Sequence, residues 1–175
     1  MKRAAEELSG KQAYALLVDS VVPRPVAWVT SLGPPIVSLA ISSRPTRAEE
    51  VDQGASLLGG QPGFTAKDTL RNIVRGGEYV IHVMPHGAAE KISRSAGDFP
   101  PGTDVPVALD LETVPGEWVR VPRLRAAPIA MECRMDSVVE VGRPVTYLLL
   151  GEVLGWHVDD RLVDEQGRVW AERWS

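Results

Sequence analysis

The chain has 175 residues, of which 44% are hydrophobic and 24% are charged, and its formal net charge is −4. The length predicts one domain spanning residues 1–175, with room for a hydrophobic core. The negative charge, together with the lack of a basic patch interleaved with aromatic residues, excludes a non-specific nucleic-acid binder.

The chain contains one cysteine, so an internal disulfide cannot form and a reducing compartment is favoured. Cys133 falls on an alternating segment, where a packed thiol is expected rather than a nucleophile. The first residues lack the apolar core of a signal peptide, and no apolar run is long enough to span a bilayer. We therefore expect a cytoplasmic protein that has no membrane partner.

A proline-rich entry into a short strand spans Pro23–Ser31. Pro25 fixes its own φ and restricts Arg24 to extended geometry. The apolar run that follows predicts a buried strand. That strand ends in Thr30 and Ser31, whose hydroxyls can either donate to a bound anion or satisfy local backbone groups.

The next segment combines a clear strand with an irregular stretch. Ile36–Ile41 is rich in β-branched and aliphatic residues and follows a Gly-Pro-Pro turn, which predicts a second strand. Ser42–Gln61 contains prolines, charges and paired glycines, and it gives no convincing strand signal. So long an irregular segment is unusual inside a compact domain.

A helix is predicted over Lys67–Arg75, with a capping box formed by Thr65 and Asp68. A helix start offers free N–H groups and the positive end of the dipole, here beside Lys67 and Thr69. This arrangement predicts an anion site, and the alternative is an ordinary surface helix with a good cap. The apolar stripe expected to face the core consists of Leu70, Ile73 and Val74.

Tyr79–Met84 is predicted to be a strand, followed by a short helix over Pro85–Ser95 and a Pro/Gly loop over Asp98–Val105. His82 and His86 have a spacing that suits metal ligands only on a helix. Since a strand followed by a proline does not present both on one face, no metal site is expected.

The last two predicted strands form a long hairpin. Pro128–Val141 alternates between apolar and polar residues, which predicts a half-exposed antiparallel strand. Val145–Val158 is apolar almost throughout apart from Glu152, so it is either a central barrel strand or a strand covered by a partner chain. In the first strand the inward set is Ile129, Met131, Cys133 and Met135, and the outward set is Glu132, Arg134 and Asp136.

Two motifs, read in this order, resemble the flavin reductase-like family of FMN-binding split-barrel proteins, which includes the flavoredoxins. They are Pro-Arg-Pro-Val-Ala-Trp-Val-Thr at residues 23–30 and Lys-Asp-Thr-Leu-Arg-Asn at residues 67–72. Residues 39–46 keep the family's Ser-Ser-x-Pro turn, but the usual Ala-Pro-[Phe/Tyr]-Ser element is absent. The resemblance covers roughly residues 14–168, with further matches at 77–83, 95–102, 127–133 and 150–153.

The resemblance implies an all-β fold with short helices, a Greek-key-like antiparallel six-stranded split barrel. It also implies a homodimer with FMN near the subunit interface. Phe99 is a candidate wall of the flavin pocket, or alternatively an aromatic residue that pins its loop to the core. The implied ring and ribityl contacts are Arg24, Pro25 and Trp28, and the implied phosphate contacts are Thr30, Ser31, Ser42, Ser43, Lys67 and Thr69.

Among functions, the resemblance favours an NAD(P)H-dependent flavin reductase that delivers reduced flavin to a monooxygenase or another acceptor. The lack of a Rossmann or P-loop motif does not oppose this, because in this family the nicotinamide is expected to stack transiently on the flavin. No side chain is predicted to act as a catalytic acid or base. The alternatives are an FMN-binding electron carrier without NAD(P)H turnover and a non-enzymatic split-barrel protein that has lost FMN.

Overall fold

The computed structural model describes residues 35–46, 63–97, 99–100, 102–163 and 165. The predicted strand at Pro23–Ser31 lies outside the described residues. The strands are β1 Ile36–Ser42, β2 Arg44–Pro45, β3 Phe64–Thr65, β4 Glu78–Val83, β5 Thr113–Val114, β6 Arg123–Leu124, β7 Ile129–Val141 and β8 Thr146–Val158. The helices are α1 Asp68–Gly76, α2 Ala89–Ser95 and α3 Val105–Ala108, with 3₁₀ turns at His86–Ala88 and Asp160–Leu162.

Four of these strands form one antiparallel sheet in the order β1-β8-β7-β4, and the others form two short ladders, β2 with β3 and β5 with β6. The predicted strands near residues 36–41, 79–84, 128–141 and 145–158 are therefore confirmed. Of the predicted irregular segment Ser42–Gln61, residues 47–61 lie outside the described residues. Its described part differs from prediction at β2, which pairs with β3 over two residues.

Strand β8 is an inner strand of the described sheet, with a neighbour on each side, which agrees with the predicted alternative of a central strand. Its alternate residues, from Tyr147 to Gly155, are buried. Two of them, Leu149 and Val153, belong to a core cluster that also includes Val37 of β1 and Cys133 of β7. Because β8 bonds to β1 on one side and β7 on the other, it carries the largest share of the sheet's pairing.

The β7–β8 hairpin closes over Gly142–Val145, where Gly142 adopts a φ of 78° that favours glycine. The Arg143-Pro144 peptide in this turn is cis. The predicted hairpin is confirmed.

Helix α1 lies against the sheet through the predicted apolar stripe. Leu70 is fully buried and packs with Tyr147, whereas Ile73 joins the cluster that contains Tyr79. The helix ends at Gly77, whose φ of 70° is left-handed and whose N–H donates to the Ile73 carbonyl. The start of α1 is thereby fixed relative to the sheet.

Cys133 is fully buried, as predicted, and burial raises the pKa of its thiol to about 12. We expect a thiol reagent at pH 8 to leave the native protein unmodified and to modify one thiol per chain after denaturation. Because the chain has only one cysteine, the assay reports this position alone. Rapid modification of the native protein would contradict the packing described for β7.

Candidate functional site

The end of β1 and the start of α1 are neighbours in the structure. The β2–β3 ladder pairs Arg44 with Thr65, so extending its register by one residue places Ser43 opposite Ala66. Contacts agree with this placement, because the Ser43 N–H donates to the Val145 carbonyl at 3.0 Å and Val145 packs against the cluster containing Ala66.

The first turn of α1 lacks the predicted capping box. The helix begins after Lys67, which is extended and makes no side-chain cap. Thr65 instead accepts a hydrogen bond from Arg71 Nη1 at 3.3 Å, and Asp68 pairs with the same guanidinium. The prediction was wrong because an arginine one turn into the helix binds both residues of the box.

As a result, the N–H groups of the first turn meet no side-chain acceptor among the described residues. Helix α1 thus presents first-turn N–H groups that are free to donate to a ligand. Lys67 and Thr69 are both exposed beside it.

The Ser43 hydroxyl is the most informative atom of this region. It is buried and has no hydrogen-bond partner in the described part of the chain, whereas buried polar atoms normally have one. An unsatisfied donor beside an uncapped helix start is what an anion-binding site requires. Ser42, next to it, is exposed. The structure thus gathers Ser42, Ser43, Lys67 and Thr69 on two adjacent segments.

The remaining predicted site residues are not gathered there by the described structure. Arg24, Pro25, Trp28, Thr30 and Ser31 lie outside the described residues. Phe99 is half-buried in the loop between α2 and α3, and its ring lies near Gly97 of the same loop.

A second polar cluster, at the far end of β8, was not predicted. Glu132 was expected to face solvent, but it is fully buried. Its carboxylate accepts backbone N–H groups from three consecutive residues at 2.7–3.0 Å, and it contacts His157 Nε2 at 2.7 Å. The three donors are Glu117, Trp118 and Val119.

The prediction failed because a segment distant in sequence covers the outer face of β7. Residues 116–121, which we call the strap, lie over Glu132. An alanine Cβ at Gly116 would lie 2.4 Å from the Val119 carbonyl oxygen, so this turn of the strap requires glycine. The Trp118 ring lies on the backbone of Gly155 and is 5.2 Å from the His157 ring, centroid to centroid.

Burial alone would raise the pKa of Glu132, but the hydrogen bonds from the strap and His157 outweigh it and lower that pKa. Since the ionised carboxylate can only accept, His157 Nε2 donates to it.

His82 acts as a neutral acceptor. Its Nε2 accepts the Leu124 N–H at 2.9 Å. Burial, with a smaller contribution from the charge of Arg123, lowers the pKa of His82 to about 4. Within the described ranges, no group of three or more His, Cys, Asp or Glu residues is placed to hold a metal ion, and no helix is long and apolar enough to cross a membrane.

The described features define an antiparallel β protein with a candidate anion site where a helix begins against the sheet. Residues 18–173 match the flavin reductase like domain family, and the chain belongs to that family. It is 38% identical over 160 residues to an uncharacterized protein of Deinococcus radiodurans, covering 87% of this chain and 70% of that protein.

Two solved structures have a similar fold. Nitrilotriacetate monooxygenase component B from Bacillus cereus is 27% identical with a TM-score of 0.77, covering 98% of this chain and 87% of that one. A split-barrel domain protein from Shewanella frigidimarina is 16% identical with a TM-score of 0.68, covering 97% and 86%. The predicted family and split-barrel class are thus confirmed, and the chain is a flavin reductase-like domain of the oxidoreductase class; the predicted count of six strands stays a prediction.

Proposed function

We propose that this protein is an NAD(P)H-dependent flavin reductase that holds FMN by its phosphate at the start of α1. The observation that carries the proposal is the buried, unpartnered Ser43 hydroxyl beside the uncapped helix start. These residues fit a phosphate monoester, which offers several acceptor oxygens and a double negative charge.

In this proposal, Ser43 Oγ and the first-turn N–H groups donate to the phosphate, and the Lys67 ammonium adds charge. Ser42 and Thr69 supply further hydroxyls. Two groups of residues are proposed from the family motif alone: Thr30 and Ser31 at the phosphate, and Arg24, Pro25, Trp28 and Phe99 around the ring and ribityl chain. When bound, FMN supplies the redox chemistry, taking a hydride from the nicotinamide and passing electrons on.

The acceptor is proposed to be a monooxygenase or another redox protein. Similarity to a protein named as component B of a monooxygenase supports this choice. We also propose that the chain is a single domain that forms a homodimer in the cytoplasm, where a lone buried thiol stays reduced.

A second candidate function is electron transfer through bound FMN without NAD(P)H turnover. The altered sequence of Leu39–Gly60 favours it, because this region departs from the family pattern where ring contacts are expected; the family's Ala-Pro-[Phe/Tyr]-Ser element is absent or reduced to Gly33-Pro34-Pro35. The two functions differ in whether a nicotinamide reduces the bound flavin.

The deciding experiment is the visible spectrum of the protein incubated with FMN under anaerobic conditions, before and after NADH or NADPH. Bleaching by either nicotinamide at a catalytic rate supports the reductase. A bound flavin that stays oxidised until dithionite is added supports the carrier. Failure to bind any flavin would overturn both.

Removing the Ser43 hydroxyl should have opposite effects on FMN affinity and on the stability of the flavin-free protein. We expect Ser43→Ala to weaken FMN binding about tenfold, because a hydrogen bond to a charged group is lost. The same change should leave the flavin-free protein as stable as wild type or slightly more stable, because it removes an unsatisfied buried hydroxyl.

Flavin fluorescence quenching and thermal unfolding measure the two effects. Lys67→Ala should also weaken FMN binding, whereas Lys91→Ala is the matched control, since Lys91 is exposed on α2 and donates to the Asp110 carbonyl. Equal FMN affinity in wild type and Ser43→Ala would remove Ser43 from the phosphate site.

A further inference from the structure

The start of α1 contains a charge that opposes anion binding. Asp68 is the first residue of the helix, and its side chain is 70% exposed. A carboxylate at this position stabilises an isolated helix through the dipole. It also repels a phosphate dianion that binds to the same turn, so the proposed site needs a group that compensates Asp68.

Arg71 is placed to be that group. Its Nη2 contacts Asp68 Oδ1, and its Nη1 donates to Thr65 Oγ1 at 3.3 Å. The arginine side chain is only 28% exposed, so it is held against the end of β3 rather than extended into water. One guanidinium therefore joins the end of β3 to the first turn of α1.

The charges at this turn show why the arginine matters for a ligand. Without Arg71, the ammonium of Lys67 and the carboxylate of Asp68 cancel, and only the helix dipole attracts an anion. With Arg71 paired to Asp68, the turn keeps a net positive charge. A surface pair at this i, i+3 spacing adds little stability by itself, so its main effect is on what the turn binds.

We propose that Arg71 is a positioning and specificity residue that makes the start of α1 select a phosphate-bearing flavin over an uncharged one. It acts through Asp68, whose charge it neutralises, and through Thr65, whose side chain it fixes. This inference rests on the proposed FMN site and goes beyond it, because it names the side chain that determines the preference for FMN over riboflavin.

The test compares the binding of FMN and of riboflavin, followed by flavin fluorescence at low ionic strength, in wild type and three variants. Arg71→Gln should weaken FMN binding about tenfold while changing riboflavin binding less than about twofold. Asp68→Asn should bind FMN at least as tightly as wild type. The double variant D68N/R71Q should regain most of the lost FMN affinity, because the uncompensated carboxylate is gone.

The control for folding is the thermal unfolding midpoint, which should be close to that of wild type in all three variants. The inference is overturned if Arg71→Gln weakens FMN and riboflavin equally, or if the double variant binds FMN as weakly as Arg71→Gln. If Arg71→Gln fails to fold, reduced FMN affinity in Asp68→Asn overturns it. Wild-type protein that binds neither flavin would instead overturn the proposed function, and the inference with it.

Discussion

Replacing Glu132 by glutamine is expected to destabilise the protein by about 3 kcal/mol or more. The carboxylate is completely buried and accepts from three consecutive N–H groups of the strap and from His157. A glutamine has the same shape but only one acceptor oxygen, and its amide would face N–H donors. Buried donors left without an acceptor carry a large penalty.

Urea unfolding at pH 7 measures this loss. The matched control is Glu152→Gln on the neighbouring strand, because Glu152 is also a carboxylate that contacts a basic side chain, here Arg134 at 2.6 Å. That arginine is mostly exposed, so the control should cost less than about 1 kcal/mol. Similar losses in both variants would show that the strap does not depend on Glu132.

The free energy of unfolding measured at pH values below neutrality gives an independent test of the role of Glu132. The pKa of Glu132 is lowered in the folded protein, so its stabilisation is complete above the unfolded-state pKa of about 4.3. It is lost as the pH falls through the folded-state pKa. We therefore expect the difference between wild type and Glu132→Gln to be largest near neutrality and to shrink in strong acid. A constant difference down to pH 2 would contradict this assignment.

The second large effect is expected at Gly151, in the middle of β8. An alanine Cβ there would lie 2.0 Å from the Tyr79 hydroxyl oxygen and 3.0 Å from the Arg134 carbonyl oxygen. Since Tyr79 is buried in the main core cluster, its ring cannot move without disturbing its neighbours. We expect Gly151→Ala to destabilise the protein by about 2–3 kcal/mol.

A double variant separates steric overlap from loss of backbone freedom. Tyr79→Phe removes the overlapping oxygen and should by itself be close to neutral, because that hydroxyl is buried and finds no partner in the described region. Combined with Gly151→Ala, it should recover part of the lost stability in urea unfolding. No recovery would show that the ring and the backbone, rather than the hydroxyl, resist the added methyl group.

The parts of the fold that follow from local patterns were predictable. The apolar stripe of α1 and the hairpin of β7 and β8 both depend on neighbouring residues, and they appear in the structure within one or two positions. The resemblance to the family likewise predicts, from the sequence alone, that Ser43 and Lys67 contact the phosphate.

The failures have a common physical cause, which is competition from residues that local patterns ignore. The alternating pattern of β7 predicted that Glu132 faces solvent. In the structure the strap, which begins at Gly116, covers that face of β7. The local sequence predicts a capping box at Thr65, but in the structure Arg71 donates to the Thr65 hydroxyl oxygen. The i, i+3 spacing of Asp68 and Arg71 is a signal that could have revealed the second case, whereas nothing near Glu132 indicated the first.

The pairing of β1 has a consequence for how the protein is made. Its described partner is β8, which is synthesised more than a hundred residues later, since Ile36 pairs with Glu152. At ribosomal elongation rates of 5–20 residues per second, β1 waits roughly 5–20 s for that partner. The β7–β8 hairpin, in contrast, can form as soon as it is translated. The β1–β8 pairing is therefore a late event of synthesis, and the nascent chain carries β1 without this partner throughout that interval.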